Sequence, residues 1–275
     1  MGKHEKTRHI VTEAYDVLCL HHPMTVRQVY YQLVSRQVIK NNRSQYQAVS
    51  KALVSARQNH TIPWEWIEDR LRQPRFVSMW ENLADFAETA ITAYRRDIWQ
   101  KQKRLVEVWL EKDALSGIFE EVLGDYGVTL NVGRGYDGWD SIRNASARYK
   151  PWHNDVVVLY FGDFDPSGED MVRSLKERLA FFDTCPEIIK CALTRNDIER
   201  YNLPPDFAKE TDTRSAGFVA KWGNVSVELD ALPIDVLRER LRHEVEQHMD
   251  LNELKNVHAI ELQERYRIAT ALSGT

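Results

Sequence analysis

The chain has 275 residues, of which 43% are apolar and 28% charged, a composition that indicates a folded protein with a substantial core and argues against disorder. Three widely spaced cysteines argue against a disulfide framework or a zinc site, and no apolar run approaches the roughly 20 residues of a membrane span, so a cytoplasmic protein is expected. The charge is uneven: residues 1–72 carry a net charge of +5 and the remainder −9, which favours a polyanion as the partner of the N-terminal part.

Three amphipathic helices are predicted at the start of the chain, over residues 7–20, 26–36 and 45–59. Thr25 and Ser44 are typical N-caps for the second and third of these helices. Apolar side chains recur at helical spacing in each segment, so we expect each helix to bury one face against the others.

A short extended segment is expected at residues 61–64, which completes the pattern of a winged helix over residues 1–72. In that fold the third helix enters the major groove of DNA. The candidate contacts to phosphates or bases are Arg43, Lys51 and Arg57. A helical cap that binds no nucleic acid is the alternative interpretation.

The second predicted helix contains two consecutive tyrosines, Tyr30 and Tyr31. Tyr30 belongs to the apolar face and is expected to pack inward, whereas Tyr31 lies about 100° further round and shares a face with Arg27. A phenol beside a guanidinium ionises more easily and is a better nucleophile. Tyr31 is therefore a candidate catalytic residue, and a purely structural tyrosine is the alternative.

A long connecting helix is predicted over residues 73–104, after which strands alternate with helices. Strands are predicted over residues 105–111, 128–132, 156–161, 188–193 and 225–229. This alternation predicts an α/β domain over residues 105–230, with a mostly parallel sheet covered by helices on both faces, and a helical C-terminal extension over residues 231–275. The last predicted strand leads to Glu228 and Asp230, which either join a site at the sheet edge or are surface turn residues.

Carboxylates follow two of the predicted strands. The strand at residues 105–111 ends in Glu111, and the apolar run at residues 156–161 is followed by Asp163 and Asp165. Their i, i+2 spacing in an extended chain points both side chains to the same side, at the edge where open α/β sheets bind ligands. Clustered carboxylates repel one another unless a cation lies between them, and hard oxygen ligands select Mg²⁺ or Mn²⁺. A solvated acidic turn is the alternative.

This arrangement of motifs resembles a known family. A strand ending in Glu111 and a later strand ending in Gly-Asp-Phe-Asp-Pro-Ser-Gly resemble the toprim domain of topoisomerases, primases and related nucleases. The second motif is similar to that of the A subunit of type IIB topoisomerase (topoisomerase VI) and its meiotic double-strand-break relative, which place a winged helix before the toprim domain. Residues 27–31 resemble the nucleophile motif of that family, except that Gln28 stands where the family has an acid. The length resembles that of small stand-alone A-type proteins of bacteria and phages.

The resemblance implies metal-dependent cleavage of double-stranded DNA. Glu111, Asp163 and Asp165 would hold Mg²⁺ or Mn²⁺, and Glu111 could instead protonate the leaving 3′ oxygen. Tyr31 would attack phosphorus and form a 5′-phosphotyrosyl link while Arg27 steadies the phosphate. In the family, the tyrosine of one subunit works with the metal of the other, which implies a homodimer. An ATPase subunit is implied as a further partner, since this chain has no P-loop motif.

Three other functions stay open at the level of the sequence. A toprim nuclease could use metal-bound water, with Tyr31 merely structural. A DNA-binding protein of the same architecture could be unable to cleave without a partner. The glycines at 133–138 fit the G-x-G-x-x-G pattern of an NAD-binding oxidoreductase, but that interpretation leaves Glu111 and Asp165 unexplained.

Overall fold

The structure of the protein, a computed structural model, describes residues 3–68, 77–133, 138–153, 155–205 and 215–273. These residues form a mixed α/β fold with a four-stranded parallel sheet, which confirms the expected fold class at that level. The predicted glycine-rich loop falls mostly on residues 134–137, which lie outside the described part of the chain. None of the helices that the structure describes is long and apolar enough to cross a membrane.

The helices are α1 (Lys3–His21), α2 (Val26–Ser35), α3 (Arg43–Gln58), α4 (Leu83–Ala93), α5 (Ser116–Gly124), α6 (Trp139–Tyr149), α7 (Pro166–Ala180), α8 (Arg195–Arg200), α9 (Ser215–Trp222), α10 (Ile234–Glu246) and α11 (Leu251–Ser273). The strands are β1 (Leu105–Leu110), β2 (Thr129–Val132), β3 (Val156–Phe161) and β4 (Glu187–Ala192). The predicted helical C-terminal extension consists of two helices, α10 and α11.

The three N-terminal helices form a helical head, as predicted. Thr25 caps α2 through a capping box, in which its side chain accepts from the backbone of Gln28 and the Gln28 side chain accepts in return. The predicted cap of α3 is wrong: Asn42, not Ser44, accepts from the backbone of the third helical residue. The helix consequently begins two residues earlier than predicted.

The predicted extended segment at residues 61–64 is not a strand. A bend leads directly into a 3₁₀ turn at Trp64–Trp66, and the pairing nearby is a single bridge between Met24 and Ile67. Pro63 has no backbone N–H to donate, which disfavours a ladder at this point.

The predicted connecting helix over residues 73–104 is not continuous in the part that the structure describes, residues 77–104. Within that part α4 is the regular α-helix, and the backbone leaves the helical conformation at Tyr94. The Tyr94 hydroxyl donates to Glu264 of α11 at 2.6 Å, and the backbone N–H of Arg96 donates to Glu261 at 2.8 Å. These tertiary contacts hold the segment against the C-terminal helix α11. They cannot be predicted from the spacing of apolar residues along the sequence.

The sheet has the strand order β2-β1-β3-β4, with all neighbouring strands parallel. Every residue of β1 and β3 is buried, because α6 and α7 cover one face and α5 and α10 the other. The predicted strand at residues 225–229 does not join the sheet in the part of the chain that the structure describes; Val227 forms an antiparallel bridge with Phe164, and a 3₁₀ turn follows at Leu229–Ala231.

The strand order reverses between β1 and β3. The chain runs outward from β1 to β2 and from β3 to β4, so the C-terminal ends of the two central strands flank a crevice of the kind that binds ligands in open α/β sheets. The backbone N–H of Glu111 donates to the carbonyl of Phe161 at 2.9 Å. The residues that follow β1 and β3 are therefore immediate neighbours.

Candidate functional site

Carboxylates from the two central strands meet at this crevice. The Oε2 atom of Glu111 accepts hydrogen bonds from the backbone N–H of Asp163 at 3.0 Å and from the Tyr160 hydroxyl at 3.2 Å. The Oδ1 atom of Asp163 accepts from the backbone N–H of Leu229 at 2.7 Å. The structure thus brings together two of the three carboxylates that the sequence selected as metal ligands.

Gly162 is the residue that lets Glu111 approach so closely. A Cβ atom at this position would lie 2.5 Å from Glu111 Oε2 and 2.7 Å from the Tyr160 side chain. Real Cβ atoms do not tolerate such distances, so a side chain here would push the Glu111 carboxylate away from Asp163. The glycine is required by the site rather than by the turn alone.

We expect Gly162→Ala to destabilise the protein by about 1–3 kcal/mol, the usual cost of overpacking a filled interior. The free energy of unfolding in urea measures this directly. Gly124→Ala is the matched control, because a Cβ there would meet nothing within 4 Å, and we expect a change below about 1 kcal/mol. Equal stability of the two variants would show that Glu111 does not pack against Gly162.

Asp165 has a different local role from Asp163. Its side chain caps α7 by accepting the backbone N–H of Gly168 at 2.6 Å. Its charge still acts on the site, because it contributes to raising the pKa of Glu111. Among the residues that the structure describes, no three acidic, histidine or cysteine side chains are grouped closely enough to hold a metal ion.

Lys112 lies at the centre of the acidic cluster. Its Nζ atom is 3.0 Å from Asp163 Oδ1, 2.9 Å from Glu228 Oε2 and 3.8 Å from Asp230 Oδ2. Burial alone would lower the pKa of Lys112, but these three carboxylates raise it above its ordinary value, so the ammonium stays charged. The sequence analysis missed this residue, although a lysine directly after Glu111 at a strand end was a visible signal.

Arg27 connects the helical head to the same cluster. Its Nε atom donates to Asp230 Oδ2 at 2.8 Å, and its Nη2 atom forms a short hydrogen bond with Glu228. Asp230 is fully buried, and its Oδ1 atom has no hydrogen-bond partner. Glu228 and Asp230, which the sequence left as either functional or surface residues, therefore belong to the cluster.

Tyr31 lies beside both cations. Its ring is 5.4 Å from the Arg27 guanidinium carbon and 5.9 Å from Lys112 Nζ, and Glu228 is close enough to affect the titration of its hydroxyl. The expected lowering of its pKa is not found. Burial and the Glu228 carboxylate raise the pKa of Tyr31 well above its usual range and outweigh the opposing effect of Arg27. In this state the phenol holds its proton.

The cluster contains more carboxylates than cations, and the pKa values of two of these carboxylates are raised. Burial, together with the charge of Glu111, raises the pKa of Asp163 to about 7, although Lys112 opposes the shift. Burial and the charge of Asp165 likewise raise the pKa of Glu111. Hard oxygen donors in a site of excess negative charge fit a divalent cation, which would reverse both shifts.

The pKa shift of Asp163 predicts a pH dependence of stability. Between pH 3.8 and about 7 the Asp163 carboxyl is ionised in the unfolded chain and protonated in the folded one, so the free energy of unfolding falls as the pH rises. Asp163→Asn should lose this contribution. In chelator-containing buffer, the stability of the wild type relative to this variant should therefore decline across that window. A difference that is constant with pH would contradict the shift.

A cavity of about 230 Å³ opens beside Tyr31. Arg27, Arg43, Tyr46 and Glu228 are among the residues that line it. Arg43, one of three predicted DNA contacts, therefore lies near the tyrosine. The other two are elsewhere on α3: Lys51 is exposed, and Arg57 stacks on Trp64 with its guanidinium carbon 4.7 Å from the ring.

Comparison with known proteins does not assign this site to a family. No protein-family model matches the chain, and no curated protein sequence matches it. The functional argument consequently depends on the geometry of the cluster and on the motifs in the sequence.

Proposed function

We propose that this chain is a metal-dependent DNA-cleaving transesterase with a winged-helix head and a toprim domain, similar to the A subunit of type IIB topoisomerase. The observation that carries the proposal is the chain of contacts from Tyr31 through Glu228 and Lys112 to Asp163. If Tyr31 only packed the head, its role would not account for the buried cluster of charges beside it, at the edge of the sheet where ligands bind in such folds. Buried charges are costly, and function is a frequent reason for keeping them.

The residues that would hold Mg²⁺ or Mn²⁺ are Glu111, Asp163 and Asp165. When bound, the metal would stabilise the negative charge that develops on the phosphate oxygens in the transition state. Lys112 and Arg27 add fixed positive charge beside the phenol ring, where a phosphodiester would enter.

The reaction that we propose is a transesterification. The Tyr31 oxygen bonds to phosphorus as the bond from phosphorus to the 3′ oxygen breaks. Burial would raise the pKa of Glu228, but Lys112 and Arg27 lower it to about 2, so the phenol proton would pass to water rather than to this weak base. The departing 3′ oxygen would take a proton from water, or from Glu111 if the two aspartates alone hold the metal. The products are a 5′-phosphotyrosyl link and a free 3′ hydroxyl, and the reverse reaction reseals the strand.

The helical head would bring the DNA. Its part of the chain carries the positive charge, and α3 would enter the major groove with Arg43, Lys51 and Arg57 near phosphates. Cleavage of both strands of a duplex requires two active sites, which a homodimer would supply. Strand passage would need an ATPase partner. We expect this activity in the cytoplasm.

A plasmid experiment tests the proposal. The protein is incubated with supercoiled plasmid and Mg²⁺ or Mn²⁺, quenched with detergent, and the 5′ ends of the DNA are examined for attached protein. We expect covalent complexes that disappear when a chelator is added before the DNA. Binding that is weakened by salt, without any cleavage, would instead identify a DNA-binding module.

One observation favours a second candidate, a nuclease that uses metal-bound water. The raised pKa of Tyr31 makes its phenol a poor nucleophile until the site rearranges or binds a cation. Cleavage that leaves free 5′ phosphates and no attached protein would support hydrolysis. The same plasmid assay distinguishes the two reactions.

A further inference from the structure

We infer that Tyr31 acts with the carboxylates of its own chain, because a set of four charged residues, Arg27, Lys112, Glu228 and Asp230, fixes the tyrosine against them. We call these four residues the latch. The inference rests on the proposed function and differs from the partner-shared site that the family resemblance implies. It assigns Lys112, Glu228 and Asp230 as positioning residues for the nucleophile.

The latch joins three separate parts of one chain. Arg27 belongs to α2 of the head and donates to Asp230 at 2.8 Å, although the two residues are 203 positions apart. Lys112 follows β1 and contacts Glu228 at 2.9 Å and Asp163 at 3.0 Å. Charge-assisted bonds therefore run from the head to the end of β1 and to the candidate metal ligand.

Burial makes this connection difficult to undo. The side chain of Asp230 is completely inaccessible, and that of Lys112 is only 13% exposed. Separating the head from its own sheet would break the bonds of Arg27 to Asp230 and to Glu228 together. An alternative pairing with a second chain would have to rebuild every one of these contacts.

Apolar packing reinforces the same arrangement. The helix α2 packs against the 3₁₀ turn that carries Asp230, with Val29 and Leu33 on one side and Leu229 on the other, all fully buried. One continuous hydrophobic cluster includes side chains of the head and of the sheet domain. The head is thus part of the core of its own chain rather than a separate unit.

The orientation of Tyr31 follows from the latch. Arg27 and Lys112 lie over its ring at 5.4 and 5.9 Å, and both of these cations contact Glu228. Lys112 contacts both Glu228 and Asp163, so it sets the position of the nucleophile relative to the acidic cluster. One chain then contains a complete site, and a homodimer contains two.

Mixed dimers test the inference through activity. Chains with different tags are co-expressed and purified on both tags, so that only mixed dimers remain. A dimer of wild type with the double variant Tyr31→Phe/Asp163→Asn should retain about half of the cleavage, because one chain is intact. A dimer of the Tyr31→Phe chain with the Asp163→Asn chain should be inactive. A site shared between chains would give the opposite pair of results and would overturn the inference, whereas cleavage by a monomeric chain would support it.

Cross-linking tests the latch without any catalysis. In Arg27→Lys, carbodiimide should join the new amine to Glu228 or Asp230, and the native contact between Lys112 and Glu228 is the internal standard. With equal amounts of ¹⁴N- and ¹⁵N-labelled protein, we expect every cross-linked peptide pair to carry a single isotope. Two results would overturn the latch. One is that about half of the cross-linked pairs carry both isotopes. The other is that the Lys112–Glu228 cross-link forms but no cross-link forms at position 27. An inactive wild type with unmixed pairs would reject the proposed function alone.

Discussion

The Asp163→Asn variant should lose DNA cleavage by at least about a hundredfold, the cost of removing one group that stabilises transition-state charge. Asparagine has the shape of aspartate but no charge, so the backbone of Leu229 keeps an oxygen acceptor. Lys112 loses the carboxylate at 3.0 Å, and the metal would lose a ligand. Initial rates of plasmid cleavage at matched protein concentration measure the effect.

The control for this variant lies at the opposite end of the same strand. Asp155 is exposed and directly precedes β3, so Asp155→Asn makes the same chemical change away from the crevice. We expect the control to cleave at the wild-type rate, and both variants to unfold cooperatively on heating. An Asp163→Asn protein that is as active as its control would show that the metal site is misassigned.

The Tyr31→Phe variant is expected to form no covalent complex with DNA. The substitution removes the only atom of this side chain that can attack phosphorus, while the aromatic ring keeps its contacts with Arg27 and Lys112. Glu228 keeps both of these cations, so the loss of the hydroxyl should cost only about 1 kcal/mol of stability. Detergent-quenched reactions with end-labelled DNA would show whether protein is attached to the 5′ ends.

Tyr266→Phe is the matched control, since Tyr266 is 75% exposed on α11 and far from the cluster in sequence. We expect it to form covalent complexes as the wild type does. If Tyr31→Phe still produces cut DNA with free 5′ ends, the enzyme is a hydrolytic nuclease and Tyr31 is structural. If it still produces protein-linked ends, another residue is the nucleophile.

The sequence by itself determined the parts of this protein that depend on local spacing. The apolar run of six residues at 156–161 predicted the central strand β3, because a strand buried on both faces has no polar side to reveal. Glu111 and Asp163 were identifiable as residues that directly follow such strands, and parallel strands bring such residues to one edge. The position of Tyr31 beside Arg27 followed from helical geometry alone.

Only the tertiary structure decided how the site is assembled. The pairing of Arg27 with Asp230 spans 203 positions, and it exists because α2 packs on the turn that ends the predicted strand at residues 225–229. The central place of Lys112 depends on carboxylates from two distant segments, Asp163 on one and Glu228 and Asp230 on the other. Burial then reversed the expected direction of the Tyr31 pKa shift. Local patterns specify which face of an element is apolar, but the energy of a buried charge depends on every segment that surrounds it.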